Sequence, residues 1–127
     1  MGKALQDALV QAIEGREDAQ ILFDNGRYRA AVNRLYYVFF WLVRGLLTDE
    51  GIFAKKHSGA QIKFAEYFIK TERIPKLYYD YLVELFESRM DADYDFDEVF
   101  IESEVVAFIE KTDEFIDFVK TNFSPDA

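Results

Sequence analysis

The segment 89-RMDADYDFDEVFIE-102 opens on an arginine and then places Asp91, Asp93, Asp95 and Asp97 at every second position, with Glu102 closing the run. A guanidinium can hold a phosphate through its planar fork of donors, and alternating carboxylates can ligate a hard cation. The acids match positions 1, 3, 5, 7 and 12 of a helix–loop–helix calcium loop. Position 6 of that loop requires glycine, because the backbone turns there through the left-handed region, and the chain has Phe96 instead. Calcium chemistry is therefore disfavoured, and the plainer reading is an exposed acidic connection between helices. Arg89 and Asp93 stand four apart, so they can pair on one helical face. A second candidate is 55-KKHS-58, which gathers two lysines, the only histidine and a serine. At the start of a helix, Lys55, Lys56 and the free backbone amides would make a natural phosphate site. The alternative is that His57 is solvated or simply part of the cap.

Composition removes other chemistries. There is no cysteine, hence no disulfide or thiolate site, and one histidine cannot build a multi-histidine metal cluster. No metal and no resident cofactor are expected, although a nucleotide remains possible as a ligand. These absences fit a reducing cytoplasm. The net charge is −9, which argues against a general nucleic-acid binder. The sum hides an asymmetry. Residues 25–65 hold Arg27, Arg29, Arg34, Arg44, Lys55, Lys56 and Lys63 against only Asp49 and Glu50, a local +5 that leaves −14 for the remainder. Either the acidic helices balance that segment, or it presents a cationic surface on an acidic body.

The elements that must position these groups are helices. Leu5, Leu9, Ala12, Ile13, Ala19, Leu22 and Phe23 recur at three-to-four spacing over 3–24, with Gly26 as a stop. A second helix, about 27–49, is apolar around most of its girth, so it is either central or shared with a second subunit. Its 35-LYYVFFWLVRGLL-47 is too short for the roughly 20 residues of a membrane span, and Arg44 interrupts it. The N-terminal stretch is amphipathic, with no apolar signal core. Ser58 and Gln61 form a capping-box pattern for a third helix running to about Thr71. Pro75 suits the first turn of a fourth helix over 75–90, and Ser103 suits the cap of a fifth. No segment alternates like a strand. The fold expected is all-α, one domain over 1–127 with an ordered core of about 3–121: an up-and-down bundle of four longer helices and one shorter helix.

Three segments, 30-AAVNRLYYVFFWLVRGLL-47, 55-KKHSG-59 and 86-FESRMDADYD-95, together resemble the HEPN domain family, and the likeness runs from about Leu5 to Phe118. Members of this branch carry a tyrosine pair after an arginine, a Lys-Lys-His-Ser-like helix start and an Arg-x-x-Ala-Asp-Tyr segment. The resemblance implies a homodimer, with Tyr36, Tyr37, Phe40 and Trp41 as candidate contacts. It also implies pairing with a minimal nucleotidyltransferase in a toxin–antitoxin-like couple. Many members are ribonucleases whose motif is arginine, four to six residues, then histidine. Counted from Arg89 those slots hold Tyr94, Asp95 and Phe96, and from Arg44 the next histidine is thirteen residues on. The motif lacks its general acid/base. The expectation is thus a non-catalytic binding module for nucleotide, RNA phosphate or the transferase. Candidate ligand residues are Arg34, Lys55, Lys56, His57, Ser58 and Arg89, with Asp93 and Tyr94 orienting. Two alternatives stand beside it: a metal-independent ribonuclease using Arg89 with His57 or Tyr94, and a purely structural dimer.

Overall fold

Two glycines set the length of the first two helices. Helix α1 (Lys3–Asp24) and helix α2 (Tyr28–Asp49) each end at a glycine with positive φ, Gly26 at 71° and Gly51 at 75°. Beyond each glycine the chain reaches back into the last turn: Arg27 N–H donates to the Leu22 carbonyl at 2.8 Å, and Ile52 N–H to that of Leu47 at 3.0 Å. This is the left-handed stop that an L side chain resists. The computed structural model describes residues 2–94 and 99–123, without the side chains of 92–94.

Helix α3 (His57–Phe64) is short and passes into a π-helical turn, Ala65–Ile69, where Lys70 N–H donates to the Ala65 carbonyl at 2.9 Å. Helices α4 (Lys76–Tyr94) and α5 (Glu102–Phe123) complete the all-α bundle, and no strand occurs among the described residues. Helix α2 is the hub and packs against α1, α3, α4 and α5. Its apolar girth is explained inside one chain, with Ala31, Val32, Leu35, Val38, Phe39, Leu42, Val43, Leu46 and Leu47 all buried. Phe39 and Phe115 stack at 4.6 Å where α2 meets α5.

Three local expectations need correction. The capping box does not form. Lys56 is the N-cap, no side chain caps the helix, Ser58 is exposed, and the Gln61 amide nitrogen is buried rather than turned back to the cap. Ser103 lies within α5 instead of capping it. Glu104 does the capping, its carboxylate accepting from Ile101 N–H at 3.4 Å. Helix α4 runs four residues past position 90, because Asp91, Ala92, Asp93 and Tyr94 include no glycine or proline to stop it. The opening of the supposed calcium loop is therefore helix. Asp95, Phe96 and Asp97 lie outside the described residues.

The start of α1 is closed from a distance. Gly2 has no side chain to cap it, and the Asp49 carboxylate at the end of α2 accepts from Ala4 N–H at 3.0 Å and Leu5 N–H at 3.3 Å. Arg16 ties α1 to α5 with a forked pair on Asp113, at 2.6 and 3.2 Å.

Candidate functional site

Tyr36 lies in the middle of α2 with no exposed surface. Its hydroxyl is hydrogen-bonded to Nδ1 of His57, the first residue of α3, at 2.5 Å. The imidazole lies against Phe40, with ring centroids 4.2 Å apart and planes inclined by 22°. Tyr36, Tyr37 and Phe86 surround it at 5.6, 5.9 and 6.3 Å. Arg89 reaches the same rings from α4. Its guanidinium carbon stands 5.0 Å from the centre of Tyr36, 5.6 Å from Tyr37 and 5.7 Å from Phe86, within cation–π range of all three. Nη2 of Arg89 also donates weakly to Sδ of Met90 at 3.5 Å. A histidine and an arginine distant in sequence thus share one aromatic wall.

The electrostatics fix the proton positions. Burial drives the Tyr36 phenol far above its usual range; Arg89 pulls it back in part and Tyr37 adds to the rise. The phenol therefore stays protonated at physiological pH. Burial lowers the His57 pKa from 6.5, and the positive charge of Arg89 lowers it further. The ring is then neutral near pH 7. A buried phenol that found no acceptor would lose about 1–3 kcal/mol, and His57 Nδ1 is the acceptor within reach. So Tyr36 donates to Nδ1, and the imidazole keeps its proton on Nε2. Arg89 and His57 consequently both offer donors.

Lys55, Lys56 and Ser58 are exposed around His57 at the head of α3, so these four of the expected ligand residues cluster, and Arg89 joins them through the histidine. Arg34 does not. It lines a cavity of about 240 Å³ in the α1–α2 seam, with Glu14, Asp18 and Trp41. The side chains of Asp93 and Tyr94 lie outside the described residues. Among the proposed dimer contacts, Tyr36 and Phe40 are buried within the chain and have no surface to give a partner, whereas Tyr37 and Trp41 are half-buried. Phe86 was not anticipated as a wall of the site, although it precedes Arg89 by three residues and so shares its helical face. Among the described residues no cluster suits a metal ion, and no helix is long and apolar enough to cross a membrane.

The family model of the HEPN domain matches residues 5–122, nearly the whole chain. The chain belongs to the HEPN domain family. It is 36% identical to a "UPF0332 protein" of Thermotoga maritima, over 87% of this chain and 83% of that one. It is 32% identical to "Putative toxin MJ0605" of Methanocaldococcus jannaschii, over 94% and 92% of the two chains. A second protein of that organism, "Putative toxin MJ0142", is 36% identical over 73% of this chain and 63% of its own length. In this HEPN domain the histidine that meets Arg89 comes from the head of α3, not from the four-to-six-residue spacing along α4.

Proposed function

We propose that this HEPN domain is a non-catalytic binding module that recognises phosphate on a nucleotide or RNA. It would act as one half of a toxin–antitoxin-like couple in the cytoplasm, with a minimal nucleotidyltransferase as partner and a second copy as dimer mate. The observation that carries the reading is the Tyr36–His57 hydrogen bond. It occupies Nδ1, leaves Nε2 protonated, and turns the histidine beside Arg89 into a donor. A guanidinium and an imidazole N–H together suit an anion, whereas a general base must offer a free lone pair. The relatives named as toxins support the setting.

One observation favours a second reading, a metal-independent ribonuclease: Arg89 and His57 do converge within one chain. RNA cleavage in EDTA separates the two. The binding module gives equal, negligible rates for wild type and Arg89→Ala, while nucleotide still shifts the amide signals of Lys56 to Gly59 in wild type. Cleavage that the substitution abolishes would establish the ribonuclease instead.

A further inference from the structure

We propose that Arg89 and His57 form a proton-linked site for a terminal phosphate dianion, discriminating against the singly charged diester of a nucleic-acid backbone. The inference rests on the phosphate-binding reading and specifies its ligand. The groups that face His57 are the neutral phenols of Tyr36 and Tyr37 from α2, the guanidinium of Arg89 from α4, and the preceding Lys55 and Lys56. On α3 itself, Lys63 is committed to the Phe53 carbonyl at 3.0 Å. The charge that acts on the imidazole is thus positive, and an anion is the missing counterpart.

One fixed guanidinium balances one negative charge. A second positive charge appears when His57 takes up a proton, and two features of the geometry oppose this in the free protein. Arg89 repels it, and protonation puts a hydrogen on Nδ1, so the Tyr36 hydroxyl must rotate to accept and gives up its own acceptor. A dianion seated on Arg89 and the Nε2–H removes the repulsion and compensates the rearrangement. A phosphate monoester carries that second charge near neutrality, its second ionisation lying at about pH 6. A backbone diester does not. Binding and proton uptake are therefore linked, and affinity rises up to about tenfold per pH unit on acidification between the free and bound titration midpoints of His57.

The chain has one histidine, so its ring resonance can be followed by NMR from pH 5 to 8.5 without assignment ambiguity. The probes are adenosine 5′-monophosphate, a dinucleoside monophosphate lacking any terminal phosphate, and sulfate, a dianion that does not titrate in this range. Adenosine monophosphate and sulfate are expected to move the His57 midpoint upward, with the diester doing neither that nor shifting the amides of α3. Arg89→Gln, checked for native circular dichroism, is expected to abolish the movement, and the wild-type titration stands even if that variant does not fold. A diester that binds as well as the monoester, or saturating ligand that leaves the midpoint in place, overturns the dianion site while phosphate recognition survives. Sulfate that still moves the midpoint in folded Arg89→Gln overturns it as well. No response to any probe sinks both.

Discussion

Gly45 is where α1 and α2 approach most closely, and replacing it with alanine sets two known effects against each other. Alanine is favoured over glycine inside a helix by about 1 kcal/mol. The added methyl would stand 2.7 Å from Cβ of Ala8 and 3.2 Å from both the Ala4 carbonyl oxygen and Cα of Leu5. None of these atoms can rotate away, since two are backbone and the third is a Cβ. Carbon atoms pack best at about 3.5–4.0 Å, so α1 must retreat by roughly 1 Å. That retreat loosens Leu5, Leu9 and Ala12, all buried against α2. Overpacking of this kind costs about 1–3 kcal/mol, which exceeds the propensity gain. Gly45→Ala should therefore lose about 1–2 kcal/mol in urea unfolding followed by circular dichroism, at unchanged m-value. Ala8→Gly removes the opposing methyl, so the double variant should recover part of the loss, with a coupling of about 1 kcal/mol. A stable Gly45→Ala, or strict additivity in the cycle, would refute the close approach as the controlling contact.

Tyr36→Phe removes the donor that holds the neutral form of His57, so the histidine should titrate at higher pH than in wild type; an unchanged or lower midpoint by NMR would contradict the assigned proton positions. The same linkage predicts a pH slope of stability. Because the folded-state pKa of His57 is lowered, the unfolded chain binds the extra proton, and this contribution, present above about pH 6.5, is lost as pH falls through that value towards the folded midpoint. Tyr36→Phe should flatten that slope in unfolding free energies measured between pH 8 and 5. Asp49→Ala strips two amides at the start of α1 of their acceptor, and thermal unfolding should report a loss of about 1 kcal/mol. Asp49→Asn should retain part of it through the remaining carbonyl oxygen.

Much of the fold could be read from local signals because its punctuation is local. Gly26 and Gly51 stop helices wherever they stand, and the girth of α2 required a central position. Signals that compete were harder to read. Ser58 and Gln61 have the right spacing for a capping box, but His57 is drawn to Tyr36 and Gln61 is buried, so tertiary packing overrides the cap. The candidate site was legible as residue types and not as a constellation. Counting forward from Arg89 finds no histidine, since the one that approaches it arrives from another helix through a shared aromatic wall. Spacing along a chain reports contacts only within one element.

The charge asymmetry is the point at which sequence and structure inform each other most. Balance by the acidic helices was one of two readings of the basic segment. The cations that enter ion pairs described in the structure are Arg16 with Asp113, Arg73 with Glu50, Lys76 with Asp80 and Lys111 with Glu84. All four lie outside residues 25–65. Arg27, Arg34, Arg44, Lys55 and Lys56 enter no such pair among the described residues, and each is exposed. Positive charge that is neither paired nor buried is free to act on what approaches from solvent, over a range of about 8–10 Å at ordinary ionic strength. Lys55 and Lys56 stand immediately before His57, so an anion drawn in by them arrives at the one place where two further donors are held in register by aromatic rings. The acidic remainder of the chain repels a long polyanion and leaves this corner accessible to a small one. That division of charge favours a short phosphate-bearing ligand over a nucleic-acid backbone.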